Sequence, residues 1–201
     1  MSKLSKKKVI GITGSMGSGK SEISRYLKNK YPVLDCDQVN ADLLKKGNLG
    51  YKKLNDLHIV ELDSDGQIIK ESLASYMFSN EKHRKQVEAI LHPLIFDEMH
   101  TWIHKQDSSI VFVEMPILFE ISAQKYFDSI WCVVADLDVA LSRLQAYRNF
   151  TREQALARLV SQMNPEEKIA RSNIVLRNNG TVEQLHIQIE DALKEEILNG
   201  D

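Results

Sequence analysis

The stretch "GITGSMGSGKSE" at residues 11 to 22 limits what this chain can be more than any other. Gly14, Ser15, Met16, Gly17, Ser18, Gly19, Lys20 and Ser21 fit G-x-x-x-x-G-K-[ST] at every fixed position. Before it runs "KKVIGIT", a short β-branched run that reads as a buried strand. After it, "KSEISRYLKN" carries Ile23 and Leu27 at helical spacing. A phosphate chain must lie against backbone N–H groups, and a Cβ would hold the backbone away. Gly14, Gly17 and Gly19 let the loop curl into an anion nest at the positive end of the helix. Lys20 can then reach the β and γ phosphates as a point charge, and Ser21 offers a hydroxyl to Mg²⁺. Glu22 follows in the first helical turn and is counted with the nucleotide-binding residues.

The rest of the chain predicts the setting of that loop. "YPVLDCD" reads as a second short strand ending in carboxylates, and "QVNADLLKKG" as a helix closed by Gly47. "DSDGQI" is a turn. From Glu71 to Lys105 the pattern is helical, with Pro93 opening a helix at "HPLIFDEMHTWIHK". "SIVFVEM" and "DSIWCVVAD" are continuous apolar runs, typical of parallel strands buried on both faces. Residues 137 to 172 read as helical with a break near Asn164-Pro165. "NIVLRN" is a last strand, and "TVEQLHIQIEDALKEEIL" a closing amphipathic helix capped by Thr181. Strands alternating with helices predict an α/β fold, a doubly wound parallel sheet in one domain over residues 1–201. A helical insert spans about 48–106 and a helical lid about 143–170.

Bulk properties exclude several classes. The formal net charge of −2 marks no surface for nucleic acid or for an anionic membrane. No stretch approaches the roughly 18 apolar residues of a membrane span. The basic start "MSKLSKKK" leads only into "VIGIT", too short for a secretory core. Cys36 and Cys132 stand far apart in apolar runs and read as reduced core residues. No histidine has metal-ligand spacing to cysteine or acid. These features predict a cytoplasmic protein, a monomer or small homo-oligomer, without nucleic-acid or membrane partners.

A GTPase switch would add N-K-x-D, which is missing, and "DSDG" at 63 to 66 follows no buried strand. A small-molecule kinase needs a carboxylate near the acceptor hydroxyl, an acceptor-binding helical region and mobile arginines over the phosphates. "DCD" puts Asp35 and Asp37 at the carboxyl end of a strand, where ligands of such sheets bind. If the strand continues, both carboxylates point one way. If it stops at Cys36, Asp37 turns toward the cleft and can cap the next helix. Arg143, Arg148, Arg152, Arg158 and Arg171 lie in the helical stretch, and Arg148, just before the "NFT" break, is best placed for a lid. A second kinase class (nucleoside, nucleotide or shikimate-like acceptors) and a silent nucleotide-binding regulator remain alternatives. Asp37 and Arg148 speak against the regulator, since binding alone needs neither.

"GITGSMGSGKS", "VLDCD", "ILHPLI", "VEMPILFE", "YRNFTREQALARLVSQM" and "RNNG" follow one another as in the dephospho-coenzyme A kinases, which this chain resembles over residues 8 to 196. The resemblance implies a P-loop kinase core with a helical substrate domain and a lid. It implies ATP-dependent, Mg²⁺-assisted phosphorylation of the ribose 3′-hydroxyl of dephospho-coenzyme A. Asp37 then matches the base or hydroxyl-orienting group, and Lys20 and Arg148 join it in catalysis. His92 and Pro93 match the His-Pro of the acceptor domain, and Pro116, Leu118, Phe119 and Glu120 the stretch beside the acceptor. Asn179 and Gly180 match the turn near adenine. Glu114 stands where many members have Asp, and is grouped with Ser21 toward the metal. Ser172-Asn173 replaces a frequent Ala-Asp, and an arginine usual after "DG-I" is displaced to Lys70.

Overall fold

A computed structural model describes residues 7–198; the first six residues of the basic start lie outside them. The described chain divides into two compact units, one of residues 7–34 and 107–198, the other of residues 35–106.

The first unit is built on a sheet in the order β2-β3-β1-β4-β5. The strands are β1 (Lys8–Gly14), β2 (Val33–Asp35), β3 (Ile110–Glu114), β4 (Ser129–Val134) and β5 (Ile174–Arg177). β1 pairs in parallel with β3, Ile12 opposite Glu114, and with β4, Gly14 opposite Val133. β4 pairs in parallel with β5. Every residue of β3 and β4 is buried, as their unbroken apolar runs predict for strands covered on both faces. Ile23 and Leu27 of α1 (Lys20–Leu27) pack with Leu185, Ile189 and Leu193 of α9 (Val182–Leu198) over Ile10, Ile12, Phe112 and Trp131. From β1 the chain passes to β2 on one side, and from β3 it crosses over β1 to β4 on the other. The loop after Gly14 therefore sits at the switch point, where sheets of this type bind ligands.

The predicted helical stretch from 137 resolves into α6 (Leu137–Arg148), α7 (Arg152–Val160) and α8 (Pro165–Ala170). Thr151 and Gln154 form a reciprocal capping box at the "NFT" break. Asn164 caps α8, and Pro165 supplies its first turn. Thr181 caps α9 as predicted, its Oγ1 accepting from Gln184 N–H at 3.3 Å.

The second unit is helical, with α2 (Cys36–Leu43), α3 (Leu49–Asp56), α4 (Lys70–Ser79) and α5 (Glu81–His104). Leu54, Ile59, Leu73, Val87 and Leu91 form its core. Two expectations change here. Pro93 does not open a helix but lies inside α5, which runs for 24 residues. Its missing N–H forgoes one bond to the preceding turn. Val87, Leu91, Leu94 and Met99 are buried on both sides of it and hold the helix together. The strand stops earlier than "DCD" suggested, at Asp35, and Asp35 rather than Asp37 caps α2. "DSDGQI" forms the predicted turn: Asp63 Oδ1 accepts from Asp65 and Gln67 N–H, and Leu62 bridges Ile68. Among the described residues no helix is long and apolar enough to cross a membrane.

Candidate active site

At the carboxyl ends of β1, β3, β4 and β5 the first unit gathers an unusual density of buried polar side chains. Thr13, Ser18, Lys20, Ser24, Glu114, Lys168 and Asn178 are all buried there. Buried polar groups are retained only when bonded or when they serve a ligand.

The phosphate loop accounts for the first of them. Gly14 has φ 148°, and a Cβ there would stand 2.2 Å from the Val133 carbonyl. Gly19 has φ 101°, and a Cβ there would strike the Asn178 amide at 2.0 Å. Both glycines are thus demanded by positive φ and by close approach together. Gly19 caps α1 in the left-handed conformation without any side-chain cap, so the first amides of α1 face the loop's interior. Lys20 is 9% exposed and curls over the loop, donating to the Gly14 carbonyl at 2.9 Å and the Ser15 carbonyl at 3.0 Å. Ser21 is exposed in the first turn of α1. Glu22 pairs with Arg25 within α1 and lies 3.6 Å from His186 of α9.

Neighbouring elements fix the loop's outer side. Arg143 of α6 approaches the Gly17 and Ser18 carbonyls at 3.4 and 3.5 Å and donates to Asn178 Oδ1 at 3.2 Å. Asn178 in turn donates to the Ser18 carbonyl at 2.9 Å. Asn179 Oδ1 accepts from Asp136 N–H at 2.7 Å, joining the turns after β4 and β5, and Gly180 leads into α9. Gln162 Oε1 accepts from Met16 N–H at 2.9 Å. Beside the loop a cavity of about 370 Å³ is walled by Met16, Leu137, Ala140, Leu156 and Leu159, with Gln162 at its polar side.

After β3 the chain turns at Pro116–Glu120. Leu118 and Phe119 are buried and shape the turn from below, Phe119 with the Arg171 guanidinium 4.7 Å over its ring. Glu120 pairs with Lys168 at 2.7 Å. Glu114 is 6% exposed and accepts from Ser24 Oγ at 2.5 Å. Its stem thus reaches α1 close to Ser21. Mg²⁺ in kinase sites keeps waters and substrate phosphates and needs one or two protein oxygens. A hydroxyl and a carboxylate at the end of β3 fit that donor set. Among the described residues no group of three or more His, Cys, Asp or Glu side chains is placed to hold a metal ion.

Arg148 ends α6 and is exposed. In the second unit, Asp37 lies exposed in the first turn of α2, its N–H held by Asp35 Oδ1 at 2.9 Å. His92 is partly buried on α5, and burial pushes its imidazolium below the usual value near 6.5, with Glu88 opposing. The loop, Glu114, the 116–120 turn and Asn179 thus stand together in one unit, while Asp37, His92 and Pro93 belong to the other.

Sequence reasoning missed Asn178, Gln162, Ser24 and Lys168, and ranked Arg143 no higher than its neighbours. Asn178 adjoins the residues chosen from "RNNG" and was within reach. Nothing in one sequence marks a lysine that folding will bury, because lysines almost never are.

The family profile for dephospho-CoA kinase matches residues 8–184. Dephospho-CoA kinases of Bacillus cereus and Streptococcus pyogenes are each 34% identical, covering 92% of this chain and 96% of theirs. A crystal structure from Thermus thermophilus superimposes with a TM-score of 0.83 at 32% identity, over 94% of this chain and 98% of that one. The Campylobacter jejuni dephospho-CoA kinase (TM-score 0.68, 22% identity, 94% and 96% covered) shares the fold. So does a shikimate kinase from Acinetobacter baumannii (TM-score 0.58, 13% identity, 97% and 96% covered). With the phosphate loop at the switch point of a parallel sheet and a match along nearly its whole length, this chain belongs to the dephospho-CoA kinase family.

Proposed function

We propose that the protein transfers the γ-phosphoryl group of ATP to the ribose 3′-hydroxyl of dephospho-CoA, giving CoA and ADP, the last step of CoA synthesis. The observation that carries this reading is the loop of residues 14–21, complete in sequence and in backbone form, within a chain matched to that family over residues 8–184. The loop amides and Lys20 bind the β and γ phosphates, where charge stabilisation contributes most to phosphoryl transfer. Arg143 and Asn178 hold the loop's carbonyls, and with them its shape. Asn179 and Gly180 lie toward the base. Ser21 would hold Mg²⁺ directly and Glu114 through water, and the bound ion would neutralise phosphate charge. Asp37 orients the acceptor hydroxyl and takes its proton late, as the new P–O bond forms and the bond to the ADP oxygen breaks. Arg148 closes over the phosphates from the lid. The 116–120 turn, His92 and Pro93 contact the acceptor. Two thiols that form no disulfide suit a cytoplasmic location, and burial pushes the Cys132 thiol up, away from reactivity.

The test is an acceptor panel with ATP and Mg²⁺, read as ADP release. Dephospho-CoA should accelerate ADP formation far beyond AMP, CMP, adenosine or shikimate. A nucleoside monophosphate or shikimate with the higher kcat/KM would overturn the reading.

A further inference from the structure

Lys168 has no part in the reaction outlined above, yet it is 1% exposed. It stands on the short helix α8, and its Nζ donates to the Pro116 carbonyl at 3.0 Å and pairs with Glu120 at 2.7 Å. Taking an ammonium out of water is strongly unfavourable, and a single ion pair seldom compensates it. The contacts tell what the residue secures. They grip the turn after β3 at its first and last residues.

The Pro116 carbonyl has a second donor. Thr13 Oγ1, wholly buried at the end of β1, reaches it at 3.1 Å. Thr13 is the residue before Gly14. The turn is therefore fastened on one side to the strand that feeds the phosphate loop and on the other to α8. The segment entering α8 touches the loop itself, through Gln162 Oε1 on Met16 N–H. Between and just beyond the two contacts the backbone is tied by side-chain bonds. Asn164 Oδ1 caps α8 at Glu166 N–H, and Ser172 Oγ closes its end on the Lys168 carbonyl. Residues 162–168 thus hold the nucleotide loop at one end and the 116–120 turn at the other.

We propose that Lys168 is a positioning residue for the acceptor: its buried ammonium, shared between the Pro116 carbonyl and Glu120, sets the 116–120 turn in the form that binds dephospho-CoA, while Gln162 on the same segment positions the loop that binds ATP. The proposal rests on the reading of that turn as an acceptor contact. It gives Glu120 a different duty from direct substrate binding: the carboxylate anchors the turn.

The experiment is steady-state kinetics with each substrate varied in turn. Lys168→Met keeps the length of the stem and removes the charge. It should raise KM for dephospho-CoA about tenfold or more and change KM for ATP by less than about threefold. Lys168→Arg keeps the charge but brings a planar fork in place of a compact ammonium, and should fall between. Gln162→Ala should show the reverse split, with KM for ATP moved more than KM for the acceptor. A purely structural lysine would lower the yield of folded enzyme and leave both KM values of the folded fraction unchanged, or raise them alike. Either result overturns the proposal. Should Lys168→Met not fold, Lys168→Arg decides: a raised acceptor KM sustains the proposal and a wild-type one sinks it. If the wild-type enzyme prefers another acceptor, the proposed function fails first. The same KM split, measured on that acceptor, then tests Lys168 separately.

Discussion

Lys20, Asp37 and His92 carry the sharpest expectations at the scale of single residues. Lys20→Ala should abolish activity by several orders of magnitude while the protein stays folded, because the ammonium curls over the phosphate loop, donating to the Gly14 and Ser15 carbonyls, and acts on charge developing in transfer. Circular dichroism and kcat measured together check this, and Lys20→Arg should not rescue it. For the two carboxylates of "DCD" the structure separates what the sequence left joined. Asp35 accepts from two amides of α2, so Asp35→Ala should cost about 1 kcal/mol of stability with little loss of rate. Asp37→Asn should lower kcat by roughly 10²- to 10⁴-fold and barely change the unfolding midpoint. The opposite pattern would move the base to Asp35. For His92 the sign follows from its depressed value. Below about pH 6.5 the unfolded chain takes up a proton that the folded one resists, so stability present above that pH is lost as pH falls toward the lower folded value. His92→Gln should therefore flatten the fall of the thermal midpoint between about pH 7 and 5.5.

Among the elements, α6 bears two arginines whose placements differ. Arg143 lies on the loop's outer carbonyls, whereas Arg148 is exposed at the helix end beside the Asn149 break. Arg143→Ala should chiefly raise KM for ATP, since the loop loses its brace. Arg148→Ala should chiefly lower kcat, since a lid closes late over the phosphates. Matching losses in both parameters for both variants would return the two to one role. The three helices after β4 show why some elements were legible and others not. The "NFT" break and the Asn164-Pro165 step are local signals and were readable, though the capping box that Thr151 and Gln154 form at the first was not read. Pro93 was misread because its local preference for a helix start lost to packing of Val87, Leu91, Leu94 and Met99 along one long helix. The strand end at Asp35 was ambiguous for a like reason: either carboxylate can cap, and only the chain's turn at residue 35 selects one.

For the molecule as a whole, binding of nucleotide must appear in its stability. ATP with Mg²⁺ at about 100 times its Kd should stabilise the folded chain by roughly 2.7 kcal/mol, and Lys20→Ala should lose most of that shift in a thermal melt. Local chemistry written along the chain was enough for the class of fold, the phosphate loop and the order of strands and helices. Apolar runs of strand length, glycines at fixed spacing and capping residues act over a few residues, so their message survives without the third dimension. The convergence of Thr13, Pro116, Glu120 and Lys168, and of Arg143 with Ser18 and Asn178, joins residues up to 160 positions apart. Such contacts arise when a parallel sheet aligns the ends of distant strands. They also require that an ammonium be buried beside a carbonyl, against the ordinary preference of lysine for water. No local pattern announces that exchange, because the partner that makes it favourable exists only once the strands are paired.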